Sequence, residues 1–250
     1  MGSALVGGLI RNGWASSLIT VVELSADRRS ELRQMFPEIN VSESPKSCES
    51  VVIAVKPPAA VEACGAVVAA GAQRILSIVA GISINTLQRA CGDLVAVIRA
   101  MPNTPALVGK GASAISFSKR CSETDIQWAE KVLGSVGTVV RVDESQMDAV
   151  TAISGSGPAY VFLLAEMLIS EAVSQGLAPE IADRLVRQLL VGSAALLSAS
   201  SETPAALREK VTSPNGTTWA AISALEQAGF REAVTAAVTA AVRRSREIGA

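Results

Sequence analysis

The stretch VVIAVKPPAA, residues 51–60, contains the end of one element and the start of another. Val51–Val55 is a short run of apolar and mostly β-branched residues, which is typical of a parallel strand covered on both faces. Lys56 and Pro57 end this run, and the apolar stretch Pro58–Ala70 predicts a helix after it. A strand that leads directly into a helix is the repeating unit of an α/β sheet.

The same unit recurs on both sides of this stretch, as far as Val142. A helix is predicted at Ala26–Met35, between two of the strand-like runs. The other apolar runs predict strands at Leu18–Val22, Ile75–Val79, Val95–Arg99, Ala112–Phe117 and Thr138–Val142. This alternation predicts a doubly wound, Rossmann-type α/β sheet.

The beginning of the chain matches only part of a dinucleotide-binding motif, which runs from a first strand through G-x-G-x-x-G into a helix. Ser3–Asn12 is predicted to be that helix, and Gly2 would be the third glycine. The first strand and the first two glycines are not in this sequence. Because that strand is central and its loop cradles the pyrophosphate, we expect the chain as given to bind dinucleotide poorly or to fold poorly. We also expect an upstream in-frame segment.

The remainder of the chain has no strand-like runs and is predicted to be helical. The helices are expected at Pro158–Gln175, Pro179–Leu197, Pro204–Lys210, Thr218–Ala228 and Arg231–Ile248. The second of them is apolar nearly all round, and a domain of about 100 residues has little interior in which to bury it. We therefore expect packing against a second copy of the chain. The predicted organisation is a dinucleotide-binding domain at residues 1–143 and an all-α dimerisation and substrate domain at residues 144–250.

Composition excludes several classes of function. Lys and Arg number 22 against 23 Asp and Glu, a balance that argues against nucleic acid or an anionic membrane as the main partner. The chain has no histidine, so imidazole can serve neither as acid or base nor as ligand. The widely spaced Cys48, Cys64, Cys91 and Cys121 suggest no metal site and are expected to stay reduced in the cytoplasm. An unbroken apolar run of about 18 residues is missing, so no membrane span is predicted.

Three loops that follow predicted strands contain proline or glycine and few charged residues, which is typical of rigid loops. They are Ala54–Pro57, Ala80-Gly81 and Met101–Pro105, which reads MPNTP. Ligands of open α/β sheets bind at the carboxyl ends of strands, and loops with so few charges suit a nicotinamide and a small substrate better than a metal or phosphate. The alternative is that Lys56-Pro57 merely ends a strand.

Two motifs in the second half precede predicted helices. SGSGPAY (154–160) has the residues of an ordinary helix start, with Pro158 at the first helical position. VTSPNGTT (211–218) is a turn that leads into a helix whose free N–H groups and dipole could hold a carboxylate. The hydroxyl groups of Ser213, Thr217 and Thr218 would add hydrogen bonds there. A plain capped turn remains the alternative.

Taken together, the motifs resemble those of the pyrroline-5-carboxylate reductase family. They are AVKPP (54–58), IVAGI (78–82), IRAMPNTPA (98–106), DAVTAISGSGPAYVF (148–162) and VTSPNGTTWAAI (211–222). The resemblance implies a helical domain that interlocks with a second subunit, as a dimer or a ring of dimers. It also implies reduction of 1-pyrroline-5-carboxylate to L-proline by NAD(P)H. In one departure, Asn215-Gly216 stands where the family usually has Gly-Gly.

The resemblance also implies site residues. Cofactor contacts are expected at Gly2, Ser25, Ala54, Val55, Lys56, Pro57 and Ala80, and we add Asn103, whose loop would seat the nicotinamide. Substrate contacts are expected at Ser213, Gly216, Thr217 and Thr218, with Glu144 as a weaker match. We expect Thr218 to be the catalytic residue, with its hydroxyl group hydrogen-bonded to the imine nitrogen. A protonated iminium is already electrophilic, so positioning and electrostatics can suffice without a strong acid.

Cofactor preference and reaction class each have alternatives. Glu23 favours NADH by repelling a 2′-phosphate, whereas Ser25, Arg28 and Arg29 favour NADPH, and the resemblance tips the expectation to NADPH. A related dehydrogenase of 3-hydroxy acids would need a helical lysine as acid and base, for which only Lys210 is available. A dimerisation module without catalytic activity is a third possibility, although its loops would then have no reason to keep these residues.

Overall fold

The computed structural model describes residues 1–249 and forms two compact units. The first unit comprises Met1–Ser156 together with the chain from Ala241 onwards, and the second comprises Gly157–Ala240. The predicted boundary between functional domains, at residues 143 and 144, lies within the first unit and stays a prediction.

The elements alternate in the first unit and are helical in the second. The strands are β1 Thr20–Val22, β2 Asn40–Ser42, β3 Ser50–Ile53, β4 Arg74–Ser77, β5 Ala96–Met101, β6 Gly111–Phe117 and β7 Gly137–Arg141. The helices of the first unit are α1 Gly2–Arg11, α2 Ala26–Met35, α3 Ala60–Ala69, α4 Ile84–Cys91, α5 Glu123–Gly134 and α6 Met147–Val150. They are followed by α7 Gly157–Ser174, α8 Pro179–Ala199, α9 Pro204–Lys210, α10 Thr217–Gln227 and α11 Phe230–Gly249.

The strands form two sheets. β1 pairs with β2 in parallel, and β3-β4-β5-β6-β7 form a separate sheet in that order. All its neighbours are parallel except β5 and β6, which run antiparallel. The segment that joins β5 to β6 contains only the short 3₁₀ turn Thr104–Val108, too little chain for the crossover that parallel strands require. The Rossmann-type α/β fold followed by helices confirms the predicted fold class.

β1 and β3 belong to different sheets: within residues 1–249, β1 pairs only with β2, and β3 pairs only with β4. In the Rossmann order, a first strand lies between the strands that correspond to these two. The predicted first helix is confirmed as α1, and it starts beside the carboxyl end of β3, because a Cβ added to Gly2 would lie 3.6 Å from Cβ of Ala54. The expectation of weak dinucleotide binding stays a prediction.

Helices cover both faces of the five-stranded sheet. Successive residues of a strand point to opposite faces, so Leu76 and Ile98 join one core cluster with α1 and α5. Their neighbours Ile75 and Val97 join the other cluster, with α3 and α4. Residues on both faces are fully buried, which is why these strands appear in the sequence as uninterrupted apolar runs.

All four cysteines are free thiols. Cys64 of α3 and Cys91 of α4 are buried in the second cluster. A hydrogen bond with Cys64, together with burial, raises the pKa of the Cys91 thiol, so Cys91 stays protonated at neutral pH. Burial also raises the pKa of Cys121.

The second unit leaves large apolar side chains exposed. Examples along α7 and α8 are Val161, Phe162, Leu163, Leu185 and Leu189. By length and composition alone, the helical stretch Glu144–Ser174 could also cross a membrane, with a mean hydropathy of 1.4 and 6% of its most apolar window buried. From the sequence we predict no span, because it has no unbroken apolar run of about 18 residues. Exposed apolar helices of this kind also occur where a domain packs on a second copy.

The start of β7 provides a test of the fold. Gly137 has φ +157°, and a Cβ on it would overlap the carbonyl group of Gly111 across the β6–β7 pair, whereas one on Gly134 would meet nothing within 4 Å. We expect Gly137→Ala to lower the free energy of unfolding in urea by at least about 2 kcal/mol. The matched Gly134→Ala should stay within about 1 kcal/mol of the wild type. Equal stability of the two variants would contradict this packing.

Candidate active site

The parallel order of β3, β4 and β5 brings three predicted loops to one edge of the sheet. Ala54–Pro57 follows β3, Ile78–Gly81 follows β4, and Pro102-Asn103 follows β5. Ala54–Pro57 and Ala80 are exposed there. Gly2, at the start of α1, lies against Ala54 at the same edge.

The start of α2 lies close to the start of α1. Nη2 of Arg28 donates to Oγ of Ser3 at 3.0 Å, which joins the two helix starts. Ser25 caps α2 by accepting a hydrogen bond from the N–H of Arg28 at 3.3 Å, and it is exposed. The structure therefore gathers the predicted cofactor residues, from Gly2 to Asn103, at the carboxyl ends of the strands and at these two helix starts.

The charged groups after β1 differ in their availability. Arg29 donates from Nη1 to the carbonyl groups of Glu23 and Leu24, at 2.9 and 2.7 Å, and only 14% of its side chain is exposed. Arg28 pairs with Glu31 but keeps 42% of its side chain exposed. The carboxylate of Glu23 accepts from the N–H of Ser25 at 2.9 Å. Of the two arginines, Arg28 is the one that an arriving phosphate could reach.

The polar groups of Asn103 are used inside the protein. Its Oδ1 accepts from the N–H of Ala112 at 2.8 Å, and its Nδ2 donates to the carbonyl group and to Oγ of Ser154, at 3.2 and 3.3 Å. This side chain therefore fixes the shape of its loop. A nicotinamide contact at this position would come from the loop backbone.

Glu144 makes contacts that the sequence did not predict. Its Oε1 accepts from Nη1 of Arg99 at 2.8 Å and from the N–H of Ile84 at 3.0 Å. Its Oε2 is buried and has no hydrogen-bond partner in the described chain. A signal for this pair was present, since Arg99 is a charged residue within an apolar strand and a buried charge needs a partner. Glu144 lies in the first unit, whereas the predicted substrate loop belongs to the second.

The predicted substrate loop forms the N-terminus of α10. The N–H of Gly216 donates to the carbonyl group of Ser213 at 3.1 Å, and that of Ala220 donates to Gly216 at 3.1 Å. The N–H groups of Thr217, Thr218 and Trp219 therefore precede the first intrahelical hydrogen bond and are open to a ligand.

The turn before α10 needs unusual backbone conformations. Among residues 1–249, Asn215 is the only residue other than glycine with positive φ, at 58°. Asparagine adopts this region more readily than most residues, so the turn tolerates the departure from Gly-Gly. At Gly216 a Cβ would lie 2.5 Å from Oγ of Ser213, so a larger residue there would require the Ser213 hydroxyl group to move.

The second unit also contains an open cavity of about 450 Å³ between α9 and α10. Its lining includes Arg208, Trp219 and Glu226 but none of the predicted substrate residues. Within residues 1–249, no three His, Cys, Asp or Glu side chains are grouped so that they could hold a metal ion.

Family models match most of the chain. The pyrroline-5-carboxylate reductase dimerisation model matches residues 144–248, and the model of coenzyme F420-dependent NADP oxidoreductases matches residues 1–81. The pyrroline-5-carboxylate reductase of Synechocystis is 42% identical over 100% of this chain and 95% of that protein. The Pseudomonas aeruginosa reductase is 40% identical over 99% of this chain and 93% of that protein.

Solved structures give the same result. A pyrroline-5-carboxylate reductase from Coxiella burnetii has a TM-score of 0.94 and 32% identity, and covers 100% of this chain and 95% of its own. The Plasmodium falciparum pyrroline carboxylate reductase, solved with NADP bound, has a TM-score of 0.87 and 30% identity at the same coverage. With sequence motifs, fold and relatives in agreement over its whole length, the chain belongs to the pyrroline-5-carboxylate reductase family.

Proposed function

We propose that the chain reduces 1-pyrroline-5-carboxylate to L-proline with a reduced nicotinamide dinucleotide, the last step of proline synthesis. The observation that carries this proposal is the open N-terminus of α10, with its Ser213–Thr218 turn. It is a site for a small carboxylate in a chain whose strand ends suit a nicotinamide. The family of the chain and the names of its relatives support the reaction.

The carboxylate of the substrate would be bound by the backbone. The N–H groups of Thr217 and Thr218 precede the first hydrogen bond of α10, and the helix dipole favours a negative charge there. The hydroxyl groups of Ser213 and Thr217 are exposed and can donate to the same group. Such a site needs no cationic side chain.

The residues at the sheet edge fit a nicotinamide dinucleotide. Gly2 lies at the start of the first helix and Ala80 is small and exposed, so backbone can approach a flat ring closely at these two positions. When bound, the reduced cofactor supplies the hydride that the imine carbon accepts. Loops that hold their shape through internal hydrogen bonds, such as that of Asn103, would keep the reacting groups in place.

Thr218 is the residue that we assign to the imine nitrogen. Its side chain is partly exposed in the first turn of α10, next to the amides that would bind the carboxylate. Carboxylate and nitrogen are close together in this substrate, so one helix start can contact both. Since the chain has no histidine, the hydroxyl group would orient an iminium that is already protonated rather than act as a strong acid.

We further propose that the chain works as a homodimer or as a ring of such dimers. The exposed apolar side chains of α7 and α8 support association, because such faces are rarely left in water. The cytoplasm remains the expected location, where the four free thiols would stay reduced.

For the cofactor we propose NADPH over NADH. Arg28, whose side chain is 42% exposed, and the hydroxyl group of Ser25 lie together at the start of α2, a combination that suits a 2′-phosphate. Glu23 opposes this choice by its charge, but its carboxylate already accepts the N–H of Ser25. Arg29 already donates hydrogen bonds to two backbone carbonyl groups, so we do not assign it to the phosphate.

The role of Thr218 can be tested with two variants. We expect Thr218→Val, which keeps the shape and removes the hydroxyl group, to lower kcat/KM for the imine by roughly 10- to 100-fold, as for the loss of one hydrogen bond of about 1–3 kcal/mol. Thr218→Ser keeps the hydroxyl group and should stay within about fivefold of the wild type. A Val variant as active as the wild type in a steady-state NADPH oxidation assay would remove Thr218 from the mechanism.

The cofactor assignment is tested by charge removal on α2. Arg28→Gln should raise KM for NADPH roughly tenfold, equivalent to about 1.4 kcal/mol, and leave KM for NADH almost unchanged. Arg33→Gln, an exposed arginine of the same helix, is the control and should change neither constant. An equal rise for both cofactors in Arg28→Gln would point to a structural effect and against phosphate recognition.

A further inference from the structure

Arg99 is a buried charge in the middle of the sheet. It is 8% exposed in β5, and the register places it beside Ser77, the last residue of β4. Its Nη1 donates to Oε1 of Glu144 at 2.8 Å. Burying a guanidinium group is costly even when it is paired, so an apolar residue would serve the core at least as well. The charge therefore suggests a role beyond folding.

The partner of Arg99 also holds the far end of the neighbouring loop. Oε1 of Glu144 accepts from the N–H of Ile84, the first residue of α4, at 3.0 Å. The loop Ile78–Ser83 runs from β4, beside Arg99, to α4, at Ile84. Oε1 of Glu144 thus links β5, which lies beside the start of the loop, to α4, at which the loop ends.

A second carboxylate contacts α11, the helix whose end lies against the same loop. Asp148 lies one helical turn after Glu144, and its Oδ1 accepts from Oγ of Ser245 at 2.7 Å. Ser245 is buried near the end of α11. Further along α11, Ile248 lies so close to the loop that a Cβ on Gly81 would be 2.7 Å from its Cγ2.

We propose that Glu144 and Asp148 form a carboxylate bracket that sets the position of Ala80-Gly81 for hydride transfer. Glu144 is then a positioning residue that acts through Arg99 and the start of α4, and not a contact of the substrate. This proposal rests on the proposed function, because the bracket holds the Ala80-Gly81 loop, on which the nicotinamide is proposed to lie. The bracket acts on the chemical step, since a loosened loop lets the ring leave its reactive position while the carboxylate site on α10 keeps its own contacts.

The kinetic test uses Glu144→Gln, which keeps an oxygen for Ile84 and removes the charge that faces Arg99. We expect kcat to fall about tenfold, with KM for the imine within about twofold of the wild type. The isotope effect on kcat with NADPH deuterated at the transferred position should rise, because hydride transfer becomes more rate-limiting. Asp148→Asn and Ser245→Ala should shift the same quantities in the same direction, by smaller factors. Glu38→Gln, an exposed position away from the loop, should change none of them.

Two kinetic results would overturn the bracket. One is a large rise in KM for the imine with kcat and the isotope effect unchanged, which would make Glu144 a substrate contact. The other is a Glu144→Gln enzyme that behaves like the wild type. A mere loss of folded protein lowers kcat without raising the isotope effect, and that pattern also counts against the proposal.

Hydrogen exchange on the ligand-free protein separates this proposal from the proposed function. Faster exchange of the amides of residues 79–84 in Glu144→Gln than in the wild type would support the bracket. Unchanged exchange would overturn it. A wild-type chain with no reductase activity would refute the proposed function, and the exchange comparison would still decide whether the bracket holds the loop.

Discussion

The parallel pairing of β3, β4 and β5 is the constraint on which the site depends. Because the three strands run in one direction, their loops meet at one edge, and α1 starts at that edge beside Ala54. The pairing is stable because adjacent residues such as Ile75 and Leu76 are buried on opposite faces.

In the proposed function, the open amides and the dipole of α10 take the place of a cationic side chain in binding the carboxylate of the substrate. At the sheet edge, the internal hydrogen bonds of Asn103 and Glu144 hold the loops in fixed shapes. Both devices favour positioning over acid–base strength, which matches a substrate that is electrophilic once it is protonated.

Signals in neighbouring residues predicted the exact bounds of some helices. The elements and contacts that were not predicted depend on residues far apart in the sequence. α2 and α9 have the predicted bounds. Ser25 and Thr203, which cap these two helices, directly precede them in the sequence. β2 was missed because it has three residues, two of them polar. The antiparallel direction of β6 depends on the length of a connection. Arg99, as a charge within an apolar strand, indicated that it needs a partner, but its pairing with Glu144 and the contact of Glu144 with Ile84 span 45 and 60 positions and depend on the folded chain.

Hydrogen exchange with and without saturating NADPH reports on every loop of this edge in one experiment. If the strand ends hold the cofactor, NADPH will slow exchange in residues 54–56, 78–84 and 101–104, the loops that follow β3, β4 and β5. Exchange in α9, which lies in the second unit, should change little. Protection confined to other segments, with these three loops exchanging as in the free protein, would show that the cofactor does not bind at the strand ends.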